Sequence, residues 1–543
     1  MAPRRTTLPP TVRQVGGVLL GAGLIAVLAV PVPALADGDT AAGLDDLRTD
    51  LDEILNDPAL EGATSGMLVH SRTEGDTLYS VDEQTPLIPA SNAKLFTGAA
   101  ALATLGEDYR FQTSVVSEQE PDAAGVLDAD VHLVGTGDPT LTPAAYAELA
   151  EEVADAGVTT VTGDLLADDT WFDEQRLAPD WASGDEPFAY AAQVSALTVA
   201  TDDDRHDTGV TEVTASPGDS PGEPLDVDAG VASGYVEVEN YARTGAPGRD
   251  TTLEVTRLPD TNTIELRGTL PVDADSVSNL RTVDEPTDYA THVLAGAFDE
   301  AGVELEGELD RGAAPADGTE LATRDSAALA ELMVPFLKFS NNPHAEILVK
   351  TLGRVEAGDG TWEAGLNELD AALQEMGLDT QDLTLTDGSG LSRSNTLTAQ
   401  TLLELFETAP EQEWYDTWAH SLPIAGEPDP LVGGTLSSRM VDTPAAGNVT
   451  AKTGTLTGVS ALSGYVTGAG GEELVFAVLN NDHSGPAPTE VQDAVAIRLA
   501  EFDRAAAVDT EPTRLPQVTE EPDNAADPAV DPGTVECSWI GVC

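Results

Sequence analysis

A helix that opens at Ser91 and a helical segment that resumes at Ser326 are separated by a long, acidic, strand-rich stretch. This interruption limits the possible folds more than any other feature of the chain. Before it, the spacing Leu44, Leu47, Leu51, Ile54 predicts an amphipathic helix. Gly66 to His70 and Thr77 to Ser80 then read as strands joined by a Thr-Glu-Gly-Asp turn. Pro89-Ala90 leads into the helix that runs from Ser91 towards Gly106. Within the stretch, Leu253 to Leu258 and Ile264 to Gly268 alternate around Pro-Asp-Thr-Asn and predict a hairpin. Beyond it, Leu329, Leu332, Met333 and Phe336 share a helix face, and Pro343 opens a second helix over Ala345 to Leu352. Strands over Ser460 to Thr467 and Glu473 to Asn480 turn at Gly468 to Gly471. Val491, Val495, Leu499 and Phe502 face inward from a last amphipathic helix. The simplest architecture is one α+β domain in two parts, 37–111 and 323–508. Its antiparallel sheet is flanked by helices, and a strand-rich insertion over 112–322 divides it.

The two ends read differently. Arg4, Arg5 and Arg13 precede an apolar run from Val15 to Val30, followed by Ala34-Leu35-Ala36. Cationic flank, apolar core and small-residue site together predict a secretory signal over 1–36, cleaved after Ala36. The run is shorter than the roughly 20 residues a spanning helix needs, so no stable membrane span is expected after cleavage. From Asp509 to Cys543 the chain is Pro-rich and acidic, which predicts a flexible tail. Cys537 and Cys543 are the only cysteines, and outside the cell they would close a small disulfide loop. A formal charge of -71 excludes nucleic acid and anionic lipid as partners of a basic face. The seven histidines lack metal-ligand spacing, so neither metal nor cofactor is expected.

The chemistry gathers around lysine. Only four of the 25 basic residues are lysines, and two of them lie in Ser91-Asn92-Ala93-Lys94 and Lys452-Thr453-Gly454. Arginine keeps its proton at any accessible pH, whereas a lysine can be tuned to give its proton up. Ser91 and Lys94 are three apart at a helix N-terminus, so their side chains share a face. A serine hydroxyl is a weak nucleophile until a neighbouring base takes its proton. Lys94 can be that base if burial or another cation disfavours its charge, and Lys452 and the helix end supply positive surroundings. The remaining two, Lys338 and Lys350, read as ordinary surface or helix residues. Neither motif is specific alone. Ser340-Asn341-Asn342 adds a third element, and the order Ser-x-x-Lys, Ser-x-Asn, Lys-Thr-Gly is that of penicillin-recognising serine enzymes.

With Asp387-Gly-Ser-Gly-Leu-Ser-Arg393, Gly137-Asp138-Pro139 and Asp168-Asp169-Thr170 added, the chain resembles the class C low-molecular-mass penicillin-binding proteins. These are D-alanyl-D-alanine carboxypeptidases and endopeptidases of penicillin-binding protein 4 type. The resemblance covers about Leu44 to Asp503 and implies a transpeptidase-like catalytic domain interrupted by two inserted domains. It implies peptidoglycan stem peptides as substrates, β-lactams as covalent inhibitors and a secreted, cell-wall-associated protein. Carried over, Ser91 is the nucleophile, Lys94 the general base and Ser340 the proton relay, with Asn342 holding the acyl amide. Lys452 fixes Ser340, and Thr453, Gly454 and Thr455 line the site of the terminal carboxylate. Backbone N–H groups of Ser91 and Thr455 form the oxyanion hole. Trp181, Asp185 and Tyr190 resemble a side-chain pocket in which Asp185, with Arg393 nearby, meets the ammonium of a diamino acid. Two other readings stay open. A β-lactamase carries the same three motifs, closer together, and a catalytically silent wall-binding protein would use the inserted domains alone.

Overall fold

The computed structural model describes residues 42–505, so the predicted signal segment, the acidic tail, Cys537 and Cys543 lie outside the described residues. Its central sheet has five strands in the order Thr450–Leu456, Val459–Thr467, Glu473–Asn481, Thr64–Ser71, Asp76–Val81, and every neighbouring pair is antiparallel. The first two strands of the chain thus pair with the last three, which closes the two parts into one sheet. Along Glu473–Asn481 the side chains alternate strictly. Leu474, Phe476 and Val478 join one apolar cluster, and Val475, Ala477 and Leu479 join another. Both faces of the strand are therefore covered, as its near-continuous apolar sequence requires.

One face carries the helices Ala42–Leu55 and Thr489–Ala500. Leu47, Leu51 and Ile54 point into the cluster as their spacing predicts. The last helix departs from the amphipathic expectation, because all ten residues from Val491 to Ala500 are buried. Its polar positions are covered by partners: Arg498 pairs with Asp46 and Asp50, and Asp493 with Arg439. Phe502 is buried too, but beyond the helix end. The other face packs an all-helical layer that includes Ala93–Leu105, Leu329–Lys338, Asn342–Leu352 and Ala399–Thr408. The sequence Ala-Lys-Leu-Phe-Thr-Gly-Ala-Ala-Ala-Leu has no polar stripe, and Ala93 to Leu102 are buried on every side. Among the described residues no helix is long and apolar enough to cross a membrane.

Between the two parts, Gln112–Ser117 and Thr319–Asp325 pair antiparallel, so the chain leaves and returns through adjacent strands. They belong to a five-stranded sheet in which Val131–Gly135, Leu165–Asp168 and Leu309–Arg311 run parallel. Smaller sheets follow, including the expected hairpin, Glu254–Arg257 against Thr263–Arg267. Their apolar residues, with the helices Pro143–Asp155 and Pro286–Ala301, form one contiguous cluster separate from those of the central sheet. Asp138 and Asp168 build turns here: each accepts both the backbone N–H and the hydroxyl of the threonine two residues on, Thr140 and Thr170.

Of the two sequence readings of Lys338 and Lys350, surface or helix, the structure keeps the second. Neither is on the surface: they are 1% and 0% exposed, as deeply buried as Lys94 and Lys452 at 0% each. Lys338 donates to the carbonyls of Leu422 and Val432, and Lys350 to Asp173 and to the Gln175 carbonyl. Buried ammonium groups need such acceptors, and here they tie the helical layer to neighbouring segments.

Candidate active site

Ser91 sits in the short 3-10 turn Ala90–Asn92, which runs directly into the helix starting at Ala93. Ala90 holds a left-handed φ of 46°, costly for a residue with a Cβ, and turns the chain sharply before the serine. Lys94 Nζ donates to Ser91 Oγ at 2.9 Å, to Asn342 Oδ1 at 2.6 Å and to the Ser389 carbonyl at 2.7 Å. All three of these partners are neutral. In its unprotonated form the amine has two N–H bonds and one lone pair. Asn342 Oδ1 and the Ser389 carbonyl can only accept, so among these three partners the Ser91 hydroxyl is the one that can give a proton to that lone pair.

Across the crevice, Lys452 Nζ donates to Ser340 Oγ at 2.8 Å and to the Thr453 carbonyl at 2.9 Å. Ser340, like Ala90, is in the left-handed region, with φ 57°, between the helices Leu329–Lys338 and Asn342–Leu352. Lys452, Thr453, Gly454 and Thr455 form the edge strand of the sheet. The alternation of an antiparallel ladder turns every second N–H away from the partner strand. Ala451 N–H points outward to the Pro423 carbonyl, so Thr455, four residues on, also turns its N–H outward. A Cβ at Gly454 would lie 3.1 Å from Ser91 N and 2.8 Å from the Pro89 carbonyl oxygen. Only glycine lets the edge strand come this close to the turn that carries Ser91. Thr453 Oγ1 donates to Thr435 Oγ1 at 2.8 Å, which places Thr435 beside the Lys-Thr-Gly strand.

Of the pocket residues, Asp185, Tyr190 and Arg393 line one cleft with Asp180, Ala182, Leu391, Leu456 and Thr457. Tyr190 donates its hydroxyl to Asp185 Oδ1 at 3.0 Å. Burial raises the Asp185 proton affinity, opposed by the Tyr190 hydrogen bond and the Arg393 charge. Arg393 is exposed and donates to the Thr457 carbonyl. Trp181 does not line this cleft, a departure from expectation: its indole N–H is committed to Asp387 Oδ2 at 2.9 Å. Asp387 is no plain turn residue. It also accepts from Gly390 N, Ser392 N and Asn395 Nδ2, which folds the Asp387-to-Arg393 loop around one buried carboxylate.

Asn342 has both ends of its amide engaged, Oδ1 with Lys94 and Nδ2 with the Tyr190 carbonyl at 2.8 Å. The insertion thereby touches the residue that touches Lys94. Sequence reasoning missed the Ser389 carbonyl, Thr435 and Glu346. The first acts through its backbone, which no side-chain pattern reveals. Glu346, four residues after Asn342 on one helix, had a legible spacing.

The family model for the D-Ala-D-Ala carboxypeptidase 3 (S13) family matches residues 47–502. A D-alanyl-D-alanine carboxypeptidase of Actinomadura sp. (strain R39) is 51% identical over 537 residues, covering 97% of each chain. The D-alanyl-D-alanine carboxypeptidase DacB of Haemophilus influenzae is 26% identical over 429 residues, 78% of this chain and 86% of the relative. The crystal structure of penicillin binding protein 4 (dacB) from Haemophilus influenzae shares the fold, with TM-score 0.71 and 24% identity over 83% of this chain and 97% of that one. Fold and sequence together place the chain in the D-Ala-D-Ala carboxypeptidase 3 (S13) family of peptidases.

Proposed function

We propose that this chain is a serine D-alanyl-D-alanine carboxypeptidase, able also to act as an endopeptidase, that trims peptidoglycan stem peptides outside the cell through an acyl-enzyme on Ser91. The observation that carries it is a crevice in which two buried lysines each rest on a different serine hydroxyl, Lys94 on Ser91 and Lys452 on Ser340. Ser91 Oγ attacks the carbonyl of the penultimate D-alanine while its proton passes to Lys94 Nζ. The tetrahedral oxygen takes hydrogen bonds from the N–H groups of Ser91 and Thr455; removing one such donor costs about 10²–10³ in rate. As the C–N bond breaks, the proton taken up by Lys94 is relayed through the Ser340 hydroxyl to the departing amine, and terminal D-alanine leaves. Water then attacks the ester, gives its proton back through the same groups, and frees Ser91.

Lys452, with Thr453, Gly454 and Thr455, fits the terminal carboxylate, because a charge held beside hydroxyls matches an anion. Asn342 orients Lys94 and aligns the acyl amide. Asp185, with Tyr190 and Arg393 in the same cleft, faces the ammonium of the stem-peptide diamino acid, and Trp181 supports that cleft through Asp387. A β-lactam presents a strained amide in place of the peptide and is trapped as the ester. The 1–36 segment serves export, which puts the enzyme at the cell wall.

The test is incubation of the purified protein with benzylpenicillin, followed by intact mass and peptide mapping. A slowly hydrolysed adduct on Ser91, absent in Ser91→Ala, is expected, together with D-alanine release from a stem-peptide mimic. An adduct elsewhere, or rapid turnover of the antibiotic, would overturn the reading.

A further inference from the structure

Glu346 lies one helical turn beyond Asn342, so the two side chains share a face of the helix Asn342–Leu352. Its carboxylate is fully buried and accepts three N–H groups: Gly388 at 2.9 Å, Ser389 at 2.8 Å and the Trp362 indole at 2.7 Å. The carbonyls of the same two loop residues face the other way. Gly388 O accepts from Thr97 Oγ1 at 2.7 Å, and Ser389 O accepts from Lys94 Nζ at 2.7 Å. Thr97 and Lys94 both belong to the nucleophile helix. The Gly388–Ser389 segment is thus a strap, tied by its N–H groups to Glu346 and by its carbonyls to the helix that carries the base.

The strap has no slack. A Cβ at Gly388 would lie 2.5 Å from Val349 Cγ2 and 2.8 Å from the Ala345 carbonyl oxygen. Gly390, with φ 86°, would place one 1.9 Å from the Ala90 carbonyl oxygen, in the turn before Ser91. Three converging N–H donors call for a group with acceptors only, which among side chains means an ionised carboxylate. A glutamine would turn its own N–H bonds towards one of them. Burial, and then the adjacent Asp387 carboxylate, raise the Glu346 pKa to about 7, the three donors opposing the shift only in part.

We propose that Glu346 is a positioning residue for the general base: through the Gly388–Ser389 strap it sets the direction in which Lys94 presents its nitrogen to Ser91. One helix then fixes the base twice, directly by Asn342 and indirectly by Glu346. This rests on the reading of Ser91 as the acylated nucleophile.

The test is the acylation of Ser91 by benzylpenicillin in Glu346→Gln, followed as limiting rate, half-saturating concentration and pH profile. A misplacement of a fraction of an ångström predicts a limiting rate down by about ten- to a hundredfold. The half-saturating concentration should hold, and the pH limb set by Lys94 should move. Trp362→Phe removes the third donor to the same carboxylate without touching the strap; it should lose thermal stability but acylate at close to the wild-type rate. Thr97→Val loosens the strap from the opposite side and should lower the limiting rate severalfold, which decides the matter should Glu346→Gln fail to fold. Wild-type rates and pH limb in a folded Glu346→Gln, or equal rate losses in Trp362→Phe, overturn the proposal, as does a wild-type rate in Thr97→Val. A wild-type protein that takes no label on Ser91 overturns the function itself instead.

Discussion

Two regions of the molecule bury lysines equally well and use them differently. In the crevice, Lys94 and Lys452 rest against the hydroxyls of Ser91 and Ser340. A hydroxyl both donates and accepts, so a proton can move in either direction across the contact. Behind the crevice, Lys338 meets two backbone carbonyls, and Lys350 meets a carboxylate and a carbonyl. Near neutral pH those groups only accept, so each lysine acts as a staple between segments. Burial pushes the amines of Lys338 and Lys350 down to about 8, with Asp173 partly opposing the shift at Lys350. Depth alone therefore does not mark a catalytic lysine. The exchangeable proton on its partner does.

The sharpest way to break this comparison is Lys94→Arg, which keeps the charge and loses the capacity to hold a side chain without its proton. Acylation of Ser91 by a fluorescent penicillin should fall by about 10³–10⁴-fold, within the range of general-base contributions. Normal labelling would mean that no proton need pass to residue 94. Lys452→Arg keeps what that position needs, a positive charge beside Ser340. Outright loss of a preorganised donor costs about 10²–10³, so this swap should cost less, about tenfold. A loss as large as that of Lys94→Arg would erase the distinction between the two crevice lysines.

Lys350→Met should act on stability instead. It strands Asp173, whose side chain is 29% exposed, so the loss in denaturant unfolding should be about 2–3 kcal/mol, below the cost of breaking a fully buried pair. The folded fraction should acylate at close to the wild-type rate; a catalytic defect without destabilisation would move Lys350 out of the staple class. The smallest effect concerns Lys338 and pH. Between about 8 and its ordinary value of 10.5, the unfolded lysine still holds a proton that the folded one has lost. The unfolded state binds more protons there, so this group makes stability rise with pH across that window. Lys338→Met should flatten that part of the profile, and an unchanged slope would show that the buried amine stays charged.

Local spacing made much of this legible. Ser91 and Lys94 lie three residues apart where a 3-10 turn runs into a helix, Lys452 to Thr455 lie on one strand, and the alternation along Glu473–Asn481 is visible in its letters. Partners far apart in sequence were not legible. Trp181 finds Asp387 across 206 residues, and Lys350 finds one acid among 96. Backbone partners are harder still. Nothing in the identities of Leu422, Val432 or Ser389 announces that their carbonyls hold a lysine. The last helix misled for a related reason, since Arg498 and Asp493 read as a solvent face until Asp46, Asp50 and Arg439 are seen to cover them.

All four lysines of the chain are out of contact with solvent, which makes the folded protein nearly invisible to amine chemistry. Acylating reagents such as activated esters would find the terminal amine and little else, while each opening of the structure would expose a side chain to irreversible tagging. The four sites report on different places: the helix that follows Ser91, the edge strand and two segments of the helical layer. Tagging followed by peptide mass analysis would thus read out which part of the enzyme opens first, with no probe introduced into it.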